Sequence, residues 1–386
     1  MSDNRLKLNL DCRYFIGEKP CKYNRLCEGC PHYNAFGTKI LIIKLGAMGD
    51  VIRTTPVLKA IREQYSRYHL TWVVEPSGAV FLKGNPHIHR VIEYGLETLT
   101  RLMIEEFDVV ISLDKSVSAT ALATLAKAPR KLGFGFHPVG NIYPFTPEAD
   151  YSFSLGMSDQ LKFIENTKTY QREMFDTLGY TDKEYGEYEI AWTNFDLQFG
   201  KALLERKHVS RGKYVIGLNT GAGEIFATKR YWQDHFVRLI HLIAGSMDAT
   251  ILLLGGPSEV ERNRQIMESC SDVKALVDTG CDNSLRDFMG ILNACDVVVT
   301  GDTLALHLVL ALRKRVAALF GSTCDQEIDL YGLGEKLVAR PECAPCYKKD
   351  CPFKDEKFMQ CMKQITPEQV LDAIVRQVQE CEGGRC

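Results

Sequence analysis
Net charge is the first thing this chain does without: across 386 residues, 47 Lys and Arg stand against 49 Asp and Glu, a formal −2. A dedicated nucleic-acid binder gathers a basic surplus on one face, so nucleic acid is not an expected partner. A membrane-spanning run is missing too. The most apolar helical stretch, Leu304 to Leu312, has about half the length a bilayer requires and is followed by Arg313, Lys314 and Arg315. It reads as a buried helix. The polar start, Met1 to Asp11, has none of the basic, apolar and small-residue zones of an export signal, which predicts a cytoplasmic protein. There is no low-complexity tract, and 45% hydrophobic with 25% charged residues is the composition of a folded globular chain.

The length suits two domains of about 150 to 180 residues each. Runs rich in Ile and Val alternate with segments of helical period, the mark of an α/β chain whose parallel sheet is covered by helices. The pattern occurs twice. Strands are expected at Lys39 to Lys44, Leu70 to Glu75, Arg90 to Glu93 and Phe107 to Leu113, with a helix from Thr55 that has Pro56 in its first turn, and another over Val117 to Lys127. The pattern restarts at Lys213 to Leu218. Helices over Gln233 to Ser246 and Glu259 to Ser269 then alternate with strands at Thr250 to Leu254, Val273 to Val277, Val297 to Thr300 and Val316 to Phe320. Thr366-Pro-Glu-Gln369 is a capping box that opens a last helix with Val370, Leu371, Ile374, Val375 and Val378 on its apolar face. The expected division is a cysteine-rich segment over 1–37, Rossmann-like domains over 38–195 and 196–365 with a hinge between 185 and 212, and a helix and tail over 366–386. Such sheets bind ligands at the carboxyl ends of their strands, so the cleft between the halves is the default site.

Three loops carry candidate chemistry. The first strand ends in Leu45-Gly-Ala-Met-Gly-Asp50, a glycine turn that lets backbone approach a ligand but is not the G-x-G-x-x-G of a dinucleotide site. Asp50 is either a first-turn acid favoured by the helix dipole or a functional carboxylate. The second half opens with Asn219-Thr-Gly-Ala-Gly223, then Thr228-Lys-Arg-Tyr-Trp232. The third loop, Thr300-Gly-Asp-Thr-Leu-Ala-Leu-His307, leads into a helix whose free N–H groups suit a diphosphate. His307 faces either ligand or core.

Together, in this order and placement, these motifs resemble glycosyltransferase family 9, the lipopolysaccharide heptosyltransferases, over about residues 38–380. The resemblance implies a GT-B fold and inverting transfer, with no catalytic cofactor, from an ADP-heptose-like donor to a lipopolysaccharide-type acceptor. It makes Asp50 the catalytic base and counts Gly49 beside it among the donor-binding residues. It places Thr220, Gly221, Lys229 or Arg230, Asp302, Thr303, Leu304 and His307 around the donor phosphates, Lys229 offsetting charge on the leaving diphosphate. Glu259 falls near the donor ribose. Leu304 and Ala305 stand where the family pattern often has Gly and a second small or apolar residue, and the bulk at Leu304 bears on how closely a diphosphate approaches the helix start.

Cysteine is abundant, at 14 residues. Cys12, Cys21, Cys27 and Cys30 form C-x8-C-x5-C-x2-C in a segment with little to build a core from, where four thiolates around zinc or an iron–sulfur cluster would supply a staple. Free thiols or disulfides are the alternative. Cys343, Cys346, Cys351 and Cys361 form C-x2-C-x4-C-x9-C among Lys348, Lys349, Lys354, Lys357 and Lys363. That loop is either metal-stapled or merely solvated, and in either form its charge suits acceptor phosphates or a membrane surface. Cys270, Cys281, Cys295 and Cys324 are scattered and carry no catalytic assignment.

Overall fold
The computed structural model describes residues 6–207, 212–223 and 225–383. Parts of the polar start, the expected hinge and the tail lie outside these. Two compact units emerge, neither contiguous in sequence. The first holds residues 6–46, Val57–Phe153 and Asp176–Lys183; the second holds Ala47–Pro56, Ser154–Phe175 and the chain from Glu184 onward.

In the first unit β1 (Thr38–Ile43), β2 (Tyr68–Val74), β3 (Arg90–Glu93), β4 (Val109–Ser112), β5 (Arg130–Phe136) and β6 (Ile142–Pro144) form one sheet in the order β3-β2-β1-β4-β5-β6. All neighbours run parallel except β6, which returns antiparallel on β5. Ile40 to Ile43 are fully buried, as expected of a central strand with helices on both faces. The helix Val117–Leu125, capped by Ser116, lays Ala119, Leu122 and Ala123 on Leu41, Ile43, Val73 and Val110.

The second unit repeats the plan with β7 (Tyr214–Asn219), β8 (Ala249–Leu254), β9 (Leu276–Asp278), β10 (Val297–Gly301), β11 (Arg315–Phe320) and β12 (Gly334–Val338), all parallel, in the order β12-β11-β10-β7-β8-β9. The helix Leu304–Ala311 is buried from Ala305 to Ala311, as its composition predicts. Among the described residues no helix is long and apolar enough to cross a membrane. The last helix, Pro367–Glu382, has its capping box, and its buried face is Val370, Ala373, Ile374, Gln377 and Val378. Val375 stands outside that face, at 36% exposure.

Local details depart from the periodicity. A helix, Met48–Thr54, starts directly after the glycine turn, so Pro56 separates two helices and the second begins at Val57. β9 starts at Leu276 because turns already occupy the Val273 N–H and C=O, bonded to Cys270 O and Leu276 N. Much of the expected hinge is the helix Asn194–Arg206, set by a Thr193–Asp196 capping box. It packs on the helix Leu285–Ala294 through glycines: a Cβ on Gly200 would meet Gly290 O at 2.3 Å, and one on Gly290 would meet Asp196 O at 2.3 Å.

Candidate active site
The helix Met48–Thr54 belongs to the second unit because it packs on the helix Leu304–Ala311. Gly49 makes that approach possible: a Cβ there would lie 2.6 Å from His307 Cδ2. Asp50 follows in the first turn, its side chain 35% exposed. One turn on, Arg53 brings Nε to 2.9 Å from Asp50 Oδ1, close enough to pair charges though not aligned for a hydrogen bond. The guanidinium stacks 3.8 Å over the Tyr170 ring. Burial opposes its charge, yet Asp50, Tyr170, Glu327 and Asp302 together hold its pKa above the ordinary value. Arg53 carries no assignment from the motifs, although its spacing from Asp50 is that of a helical ion pair.

β7 ends at Asn219, whose Nδ2 donates to Gly221 O (3.2 Å), Thr300 Oγ1 (2.9 Å) and Thr303 Oγ1 (3.3 Å). One amide thus ties the Gly221 loop to the start of the Leu304 helix. Thr220 turns inward, 1% exposed, with its hydroxyl bonded to Leu254 O and Asn263 Oδ1. It is not brought to the other candidates. Lys229 and Arg230 diverge as well. Lys229 Nζ donates to Asp302 Oδ2 at 2.8 Å and to Asp302 O at 3.1 Å, whereas Arg230 Nη2 donates to Gly223 O. The Lys229 loop is fastened by Thr228, which bonds Lys348 O and Lys349 O of the cysteine-rich basic segment.

Burial works against the Asp302 carboxylate, but Lys229 foremost keeps its pKa below the ordinary value. Thr303 is the N-cap of the Leu304 helix and makes no side-chain cap, which leaves the first N–H groups unclaimed by it. His307 is 4% exposed, its Nδ1 3.3 Å from Tyr188 Oη. Burial first, then Arg53, pushes its pKa down to about 4, so the imidazole is neutral at neutral pH. Glu259, 4% exposed, accepts from Gly256 N through Oε2 at 3.0 Å. Its Oε1 is buried without a hydrogen-bond partner among the described residues. Gly221 leaves room for that carboxylate: a Cβ there would meet it at 2.7 Å.

These groups line one cavity of about 640 Å³, every lining residue of which belongs to the second unit. Gly49, Asp50, Arg53, Gly221, Lys229 and Glu259 contribute, with Asp302 to Ala305 and His307. Thr220 and Arg230 are not in the lining. Tyr347 and Glu327 are, joined by a 3.2 Å hydrogen bond, and neither is signalled by a motif. The volume falls within the range of small-molecule sites.

Neither cysteine group reaches this cavity. Cys343, Cys346, Cys351 and Cys361 line a separate one of about 80 Å³, where Met359 N donates to Cys351 Sγ at 3.4 Å. Cys12, Cys21, Cys27 and Cys30 line another, of about 340 Å³. Among the described residues no group of three or more His, Cys, Asp or Glu is arranged to hold a metal ion as it stands. Burial pushes the Cys295 thiol up to about 12 and Cys270 up to about 11, as fits structural thiols.

The family model described as glycosyltransferase family 9 (heptosyltransferase) matches residues 97–357. Lipopolysaccharide heptosyltransferase 1 of Escherichia coli is 24% identical over 326 residues, covering 78% of this chain and 94% of that protein. Among solved structures, the family 9 glycosyl transferase of Veillonella parvula superposes with a TM-score of 0.68 at 19% identity, covering 89% of this chain and 97% of the other. The ADP-heptose lipopolysaccharide heptosyltransferase II of Escherichia coli gives 0.63 at 16%, covering 89% and 100%. These superpositions give the two-sheet α/β architecture its name, GT-B.

Proposed function
The chain belongs to glycosyltransferase family 9, and from that premise we propose that it moves a heptose from ADP-heptose to a lipopolysaccharide-type acceptor, with inversion and without a catalytic metal. The observation that carries this reading is the convergence on one cavity of Asp50, the Lys229–Asp302 pair and Glu259, whose Oε1 has no hydrogen-bond partner among the described residues.

Each group has a task in a single displacement. Glu259 Oε1 accepts from a ribose hydroxyl of the donor, which supplies the partner it lacks. The diphosphate docks at the start of the Leu304 helix, where N–H groups and partial positive charge favour an anion. As an acceptor oxygen bonds to the anomeric carbon, Asp50 takes its proton and the bond from that carbon to the diphosphate breaks, its electron pair leaving on ADP. Lys229 offsets the charge that grows on the leaving group, and Asp302 holds the ammonium in place. Arg53 fixes the Asp50 carboxylate, and neutral His307 backs the glycine that brings both here. The acceptor is lipid-anchored, so the enzyme works as a peripheral protein at the cytoplasmic membrane surface, which the exposed Lys348, Lys349, Lys354 and Lys357 suit.

The test is product analysis with ADP-heptose and a heptose-deficient acceptor, in chelator, for wild type and Asp50→Asn. Turnover that survives the chelator and falls at least about 100-fold in the folded variant is expected. Wild-type turnover in Asp50→Asn removes the base. A donor comparison in which UDP- or GDP-sugars outcompete ADP-heptose overturns the donor.

A further inference from the structure
Residues 6–37 contain no helix and no strand; their one β-bridge is the isolated antiparallel pair Cys12–Ala35, internal to the segment. Cys12 is the one buried residue among them, while Leu6, Leu10, Ile16 and Leu26 are 61 to 71% exposed. Apolar burial therefore contributes almost nothing to ordering a segment of this length. Its course is nevertheless defined by tight turns, and the cysteines open them. Phe15, Asn24, Cys30 and Tyr33 donate their N–H groups to the carbonyls of Cys12, Cys21, Cys27 and Cys30 at 3.0, 2.8, 3.1 and 3.3 Å. In Cys27-Glu28-Gly29-Cys30 the turn needs a left-handed residue, supplied by Gly29 at φ +61°.

All four cysteines are outside disulfides and line the same cavity, walled by Tyr14, Tyr23 and His32. Tyr23 stacks on His32 at 3.9 Å and meets Tyr14 edge-on, so three rings pack together on the cavity wall. Of the nearby acids, Asp11 accepts from Tyr33 Oη and Glu28 pairs with Lys7, and Glu18 lines the cavity as one carboxylate beside four sulfurs. Sulfur is the dominant donor, and soft thiolates select zinc and iron over hard cations.

We propose that Cys12, Cys21, Cys27 and Cys30 bind one thiophilic metal ion, zinc or iron, in a four-thiolate site that cross-links residues 12–30 and so holds the segment 6–37 in its fold. The ion draws the sulfurs from the cavity wall to a common centre, with bonds of about 2.3 Å for zinc. Each thiol releases its proton on binding, and four thiolates around a divalent ion carry a net charge of −2. Lys19 and Arg25 line the same cavity, together with Glu18, and offset part of that charge. The staple has a fixed base. Arg13 N donates to Asn34 O and Phe36 N to Asp11 O within the segment, while Arg13 Nη2 donates out to Tyr68 O and Arg67 Nε donates in to Ala35 O. These contacts sit at the amino ends of β1 and β2, opposite the strand ends where such sheets bind ligands, so the ion's role is structural.

The full-length chain, purified under reducing and anaerobic conditions, tests this by metal analysis. The comparison sets wild type against Cys27→Ser/Cys30→Ser, and against Cys343→Ser/Cys346→Ser to account for the second group. The expected result is one equivalent fewer in the first variant than in wild type; equal metal in both overturns the proposal. To separate metal loss from misfolding of the segment in the variant, unmodified protein is also alkylated with and without chelator and mapped by mass spectrometry. Protection of all four thiols, released by chelation, supports the site, and full alkylation throughout refutes it. Cobalt loading that yields tetrahedral thiolate bands identifies a zinc-type site, and a red protein with one iron and no acid-labile sulfide identifies iron. Four irons with acid-labile sulfide overturn the single ion, and two disulfides without metal overturn the site altogether.

Discussion
Replacing Gly49 by alanine sets two well-understood effects against each other. Gly49 lies in a helix, where alanine is preferred by about 1 kcal/mol. The added methyl, however, would stand 2.6 Å from His307 Cδ2 and 3.3 Å from Nε2. Carbon atoms pack at about 3.5 to 4.0 Å, so the helices Met48–Thr54 and Leu304–Ala311 must part by roughly 1 Å. Neither can give way freely: Val51, Ile52 and Thr54 are buried on one side, and Ala305 to Ala311 on the other. Overpacking of this kind costs about 1 to 3 kcal/mol, which cancels or outweighs the helical gain. The larger effect falls on activity, because a shift of about 1 Å in the base costs roughly 100-fold in rate. The assay is kcat for heptose transfer beside thermal unfolding of Gly49→Ala, His307→Ala and the double variant. Removing the ring makes room for the methyl, so the double variant should be more stable than the summed single effects by about 1 kcal/mol or more. A Gly49→Ala protein that is stabilised by its helix propensity and turns over at the wild-type rate refutes the contact and the role drawn from it.

Lys229→Met should lower kcat by about 100- to 1000-fold, and it strands the Asp302 carboxylate without its cation, so unfolding should also move to lower temperature; retained kcat removes Lys229 from the leaving-group site. Glu259→Gln should raise the donor KM roughly 10- to 100-fold with kcat nearly unchanged, measured by steady-state kinetics, because a charged acceptor for the ribose is lost. Stability should depend on pH through His307. Its folded pKa of about 4 lies below the unfolded value of 6.5, so its contribution is complete above pH 6.5 and is lost as pH falls toward 4, about 3 kcal/mol in all. Denaturant titrations from pH 7.5 to 5 should show that slope, shallower in His307→Gln, and an unchanged slope would refute the assignment.

The two parallel sheets are legible because a buried central strand such as Ile40–Ile43 or Val297–Val299 needs apolar side chains on both faces, which leaves an unbroken run in the chain. Asp50, Asp302 and His307 are legible because each stands just after such a strand or in the first turn of the helix that follows, and Lys229 because its charge lies in the loop between β7 and the helix Gln233–Ser246. Arg53 is less so, since its importance comes from Tyr170 and Glu327, more than a hundred residues away. The same holds for Tyr188 beside His307 and for Tyr347. Thr220 shows the reverse case: a hydroxyl in a glycine loop suits phosphate, but Leu254 and Asn263 take it into the interior.

The sequence by itself determined the order of strands and helices, the glycine turn before Asp50 and the capped start of the last helix, because these depend on period, backbone freedom and side chains a few residues apart. Only the tertiary structure decided that the Asp50 helix joins the second unit, that Lys229 and not Arg230 meets Asp302, and that one Glu259 oxygen has no partner among the described residues. Those choices depend on which groups compete for the same partner once distant segments are packed, and no local pattern records that competition.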